Sequence, residues 1–236
     1  MPVSRLGPAV VSGLVLLAGC PPADGPAGSD DVETPDVGSV LVCLPFGAGD
    51  DTLVEVDGTV VGLDDGSTAC AHSLTISVDD GSVVSVGWSV SDADGGDLGP
   101  SLDLEPGDPV QLGMRAHLVF GEVRGLRITD DEGLLLAADE GTWGGGLEED
   151  ETGLRVEPGT VVATVEAECT ITDYSVVRFT DAATGSSVEV WPLESDGLTV
   201  REQALTVQAV ASIQRGSGRS CSVSDQTDVL SWVAWR

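Results

Sequence analysis

Residues 74–90 read LTISVDDGSVVSVGWSV. Leu74, Ile76 and Val78 alternate with Thr75 and Ser77, and after Asp79-Asp80-Gly81 a second Val-rich run extends from Val83 to Val90. A two-residue period places alternate side chains on opposite faces of a strand, whereas an amphipathic helix repeats every 3.6 residues. Two such runs around a short Asp/Gly segment predict a β-hairpin, with Gly81 in the left-handed conformation that side chains resist.

The same grammar runs outward in both directions. Leu53 to Val56, Asp57-Gly58 and Thr59 to Val61 predict a second hairpin with a two-residue turn. Further strands are predicted near Val40 to Leu44, Val110 to Phe120, Gly125 to Thr129, Leu134 to Ala138, Val161 to Ile171, Ser175 to Thr180, Ser187 to Trp191, Leu205 to Ile213 and Val229 to Trp235. The fold class is therefore all-β, an antiparallel β-sandwich. A weak echo supports duplication: Gly58-Thr59-Val60-Val61 recurs as Gly159-Thr160-Val161-Val162, and Leu126 to Asp130 resembles Val177 to Asp181. Trp143-Gly144-Gly145-Gly146 followed by four acids, Glu148 to Glu151, marks a boundary. It divides the chain into two Ig-like sandwich domains, 39–142 and 153–236, with one large sandwich or a β-trefoil-like repeat as alternatives.

Composition narrows the partners. Forty Asp and Glu face 10 Arg, no lysine occurs, and the formal charge is −30 over 236 residues. Such a field repels a phosphate backbone and excludes nucleic acid as a partner. Without lysine there is no P-loop and no Schiff-base or Ser-Lys chemistry, and the sequence contains no H-E-x-x-H or G-x-S-x-G motif. His72 and His117 read as strand residues with satisfied hydrogen bonds. The chain is expected not to be an enzyme, with a hydrolase using paired carboxylates as the remote alternative.

At the N-terminus, Arg5 precedes the apolar run Ala9 to Ala18, which is too short to span a bilayer and has the length of a signal-peptide core. It closes on Leu17-Ala18-Gly19-Cys20, which resembles the lipobox of bacterial lipoproteins. The resemblance covers only these first residues. It implies removal of residues 1–19, lipidation of Cys20, and a lipid bilayer as partner through the acyl chains. Residues 21–38, with four prolines, three glycines and five acids, bury too little to fold and read as a tether. Fully extended they reach roughly 50 Å at ~3.1 Å per residue. The expected location is the bacterial cell envelope, with the outer membrane preferred because Pro21, not aspartate, follows the lipidated cysteine.

With Cys20 acylated, Cys43, Cys70, Cys169 and Cys221 remain, an even number suited to two disulfides in an exported protein. The domain boundary selects Cys43–Cys70 and Cys169–Cys221. Asp92, Asp94 and Asp97 alternate in a Gly-rich segment and form the one candidate Ca²⁺ site, although the pattern departs from the EF-hand loop at Gly96 and Leu104. Trp88, Trp143, Trp191, Trp232 and Trp235 suit core packing, with an outward-pointing ring expected from the pair on the last strand. The functional expectation is a non-enzymatic structural or interaction module that meets an envelope protein or polysaccharide. A calcium-dependent adhesion or carbohydrate-binding module is the alternative.

Overall fold

The hairpin predicted at residues 74–90 is present: β3 (His72–Val78) pairs with β4 (Val83–Ser91), Gly81 sits at φ 83°, and the Gly81 N–H closes the turn on the Val78 carbonyl. The computed structural model describes residues 34–43, 53–65, 70–117, 122–140, 149–167, 170–217 and 228–236. Around the hairpin the remaining strands are β1 (Ser39–Cys43), β2 (Leu53–Asp65), β5 (Pro109–His117), β6 (Glu122–Asp130) and β7 (Gly133–Asp139). A single helical turn, α1 (Glu149–Thr152), precedes β8 (Leu154–Glu166), β9 (Thr170–Asp181), β10 (Ser187–Val190), β11 (Ser195–Val200), β12 (Gln203–Ser217) and β13 (Val229–Trp235).

All 13 strands belong to one open antiparallel sheet of the sandwich class, ordered β1-β4-β3-β2-β5-β6-β7-β13-β12-β9-β10, with β11 on β12 and β8 on β9. Strands from either side of the sequence boundary at 143–152 pair directly, because β7 is hydrogen-bonded to β13. The layers arise from which faces are apolar. In β7 and β13 consecutive residues are buried, so both faces are covered. Leu136, Ala138 and Val233 enter one core with Trp88, Leu74 and Leu112, while Leu134, Ala137, Trp232 and Ala234 enter a second with Phe179, Val190 and Leu205. Each large side chain fully buried in this way contributes about 1.5–3 kcal/mol.

The first part of the sheet curls back on the shared layer. Gly38, immediately before β1, donates its N–H to the Val210 carbonyl at 3.1 Å, and Val210 lies at the irregularity in the β12–β13 ladder. A side chain at position 38 would collide with the Ser91 carbonyl, 1.9 Å from an ideal Cβ. The glycine therefore permits the closure.

Two sequence expectations are corrected, and one strand had not been foreseen. Asp57-Gly58 is not a turn: β2 runs unbroken through it, with Gly58 opposite both Val78 and Val110. The glycine serves close packing there, since an ideal Cβ would lie 2.7 Å from Ile76 Cδ1 and 2.8 Å from the Ser77 carbonyl. The run Val161 to Ile171 is two strands, because Ala167 and Thr170 exchange backbone hydrogen bonds across a reversal. Residues 195–200, SDGLTV, form β11, although Asp196-Gly197 reads as punctuation.

The internal echo has a structural counterpart. β2 and β8 are both 13-residue strands, and each ladder shifts register at the fourth residue of Gly-Thr-Val-Val, Val61 in one and Val162 in the other. Each strand opens a three-strand meander, β2-β3-β4 or β8-β9-β10. A trefoil is not formed. The described chain remains one continuous sheet.

Candidate functional site

The segment after β4 brings the candidate calcium residues into view. The Asp92 carboxylate accepts the N–H groups of Asp94 at 3.0 Å and Gly96 at 2.7 Å through the same oxygen. Asp97 turns elsewhere: Oδ1 accepts the Gly99 N–H and Oδ2 lies 3.0 Å from His72 Nε2. The three carboxylates therefore do not gather, and among the described residues no group of three His, Cys, Asp or Glu is arranged to hold a metal ion. Short carboxylates that bond to backbone two to four residues onward build Asx turns, and that competing use explains the spacing.

His72 stands on β3 directly opposite Trp88 on β4, with the rings stacked at 5.6 Å and 15°. Trp88 is fully buried and donates its indole N–H to the Pro100 carbonyl at 3.2 Å. Asp97 and Pro100 thereby strap the β4–β5 connection across this end of the first core, where Leu98, Leu102 and Leu104 also pack. Beside it Cys43 and Cys70 form a disulfide that ties the end of β1 to the start of β3. Asp97 thus gives His72 a carboxylate neighbour, 3.0 Å from Nε2. The side chain of His117, and Cys20, Trp143, Cys169 and Cys221 altogether, lie outside the described residues.

Trp232 is buried in the second core, edge-on to Phe179 at 6.0 Å, and Trp235 packs against the first. β13 lies between β7 and β12 with both faces covered, so the outward-pointing ring expected of the Trp232/Trp235 pair is not found. Among the described residues the exposed tryptophan is Trp191, 50% accessible, on the turn from β10 to β11. Leu193 in that turn adopts φ 66°, its N–H bonds to the Ala209 carbonyl, and its side chain reaches Gly38. Val161, 48% accessible on β8, is the other large apolar group exposed on this meander.

β10 and β11 leave this turn without pairing with each other. β10 is bonded along one edge to β9, β11 along one edge to β12, and among the described residues no strand pairs with the other edge of either. Between them opens a cavity of about 410 Å³ lined by Asp181, Thr184, Ser187, Val188, Leu198 and Glu202, among others. Asp181, itself buried, is one of the lining residues. Its carboxylate accepts the Thr184 hydroxyl at 2.6 Å and the Ala183 N–H at 3.2 Å. The Thr184 hydroxyl, helped by the amides of Ala183, Arg201 and Thr184 and opposed by burial, holds the Asp181 carboxyl below the ordinary carboxylate range. Arg201 and Glu202 form the two-residue hairpin loop of β11–β12 with φ 48° and 70°, a geometry that Asn and Gly normally supply. Strain of this kind clusters at binding clamps, at roughly 1–3 kcal/mol per residue.

Sequence reading singled out none of Ser187, Val188, Leu198 or Glu202. The available signal was weak: Asp-Ala-Ala-Thr-Gly at 181–185 is a turn motif, but the facing strand was masked by its own Asp-Gly.

On the outer face of the same meander Arg178 bonds Glu189 at 2.6 Å and Glu157 at 3.3 Å, which holds its guanidinium above its usual range. The described polar clusters are thus engaged internally, whereas Trp191 and two strand edges stay open. These features define an all-β protein of the sandwich class with a cleft between unpaired strands. No protein-family model, curated protein or solved structure matches the chain.

Proposed function

We propose that this chain is a lipid-anchored cell-envelope protein that acts as a non-enzymatic interaction module. Acylated Cys20 and the acidic tether carry the anchoring half, on the resemblance to the lipobox. The docking half is carried by one observation, the half-exposed Trp191 on a turn tied to β12 by the Leu193 N–H to the Ala209 carbonyl. A large aromatic ring exposed on a fixed backbone offers contact area at little entropic cost, as interface hot spots do. The −30 charge restricts the partner to neutral or basic surfaces.

The test is a photo-crosslinking residue at position 191 of the full chain, produced in bacterial cells. A discrete envelope adduct that is lost in Cys20→Ser supports both halves. No adduct overturns the docking half, and an adduct unchanged by Cys20→Ser overturns the need for the anchor.

A further inference from the structure

We infer that the cleft between β10 and β11 is a receptor for an extended peptide strand with a basic end, bound by strand addition. The inference deepens the interaction-module reading and rests on it for the partner's identity as a protein.

A strand edge without a neighbour presents N–H and C=O groups that another strand can satisfy, and natural folds shorten or cover such edges. Here the cavity lies between the ends of the two edges away from their turn, at Ser187 and Val188 of β10 and Gly197 to Thr199 of β11, and a strand entering there would follow the order β9-β10-guest-β11-β12. The Gly197 N–H is engaged by the side chain of its own neighbour, Asp196, at 2.7 Å instead of by β12. In an antiparallel ladder the residues that bond to a given neighbour alternate. Gly197 and Thr199 therefore direct their backbone groups into the cleft.

Side chains set the guest's chemistry. Leu198, buried, and Val188, half-buried, form the apolar floor, while Ser187 and Thr199 stand at the exposed rim. A guest alternating small apolar and polar residues matches this pattern. Two carboxylates line the cleft, the buried Asp181, held by Thr184 and Ala183, and the exposed Glu202. A cationic side chain or amino terminus complements them, as does the charge of the whole molecule. The volume lies within the range of ligand sites, about 300–1,000 Å³. No aromatic ring lines the cleft to stack on a sugar.

The probe is a capped hexapeptide of alternating valine and threonine with a lysine at each end, titrated into the full-length protein. Amide exchange is followed by NMR. Binding is expected to slow exchange at Gly197 and Thr199 by about tenfold or more at saturation. A central proline in the peptide should abolish this protection, and glutamates in place of the lysines should weaken binding by about tenfold. Gly197→Pro, which removes a cleft-facing N–H, should remove protection at Thr199. The proline peptide repeats that test without touching the protein's fold. Absence of protection at millimolar peptide, equal binding of the proline peptide, or protection confined to β8 would each overturn the inference. Such a failure with the position-191 adduct intact overturns the cleft alone, whereas loss of the adduct overturns the module reading itself.

Discussion

The backbone N–H of Gly38 donates to the carbonyl of Val210 at 3.1 Å, which fastens the residue where the acidic N-terminal segment enters the fold to the strand shared by both cores.

Gly38→Ala should destabilise the protein, because the added methyl meets the Ser91 carbonyl and Leu193 Cδ2. Overpacking of this kind costs about 1–3 kcal/mol. Gly62→Ala is the internal control: nothing lies within 4 Å of its ideal Cβ, so its urea midpoint should stay near that of the parent. Equal midpoints for the two variants would refute the closure.

Loss of the Cys43–Cys70 bridge should lower stability through the unfolded chain, since it closes a loop of sequence separation 27. The chain-entropy relation gives about 3.5 kcal/mol for a loop of this size. Replacing both cysteines with serine and repeating the urea titration measures it. The same titration with and without reductant should reproduce the difference.

Acid sensitivity should follow Asp181. Its folded carboxyl sits below the ordinary value, so the unfolded chain binds the proton more readily, and the stabilisation is present above the unfolded pKa of about 3.9. It is lost as pH falls through the folded value. Thermal midpoints measured downward from pH 6 should therefore decline below about pH 4. Asp181→Asn should flatten that decline while lowering the midpoint at neutral pH. Parallel curves for parent and variant would contradict the assignment.

Calcium should have no specific effect on the described fold. Asp92 is engaged by two amides and Asp97 by Gly99 and His72, and among the described residues no group of three ligands is arranged to hold an ion. Thermal midpoints in CaCl₂, MgCl₂ and ionic-strength-matched NaCl should coincide, which is the signature of screening alone. A rise of several degrees in calcium only would show binding to the native state.

Legibility in the sequence tracked whether a residue's role was local. The 74–90 hairpin could be read because alternation and the Asp-Asp-Gly turn are both local signals. Strand β13 was placed with its observed bounds, Val229–Trp235. Asp57-Gly58 misled because a glycine that admits Ile76 from the next strand looks the same in sequence as one that turns the chain. β11 was hidden for the same reason at Asp196-Gly197. The His72–Asp97 contact joins two distant segments through tertiary packing, and neither residue's neighbours announce it. The β10–β11 cleft was invisible because it is a gap in pairing, and pairing is a property of the whole sheet.

The most direct test of the anchored-module account is the intact mass of the chain's first tryptic peptide after production in a bacterial host. Arg115 is the first cleavage site downstream of Cys20, so a second cut at acidic residues would be used to shorten it. The account predicts removal of residues 1–19 and a diacylglyceryl-modified Cys20 as the new first residue. An unmodified Cys20, or a Cys20 peptide that begins at Leu6 behind the tryptic cut at Arg5, would contradict it.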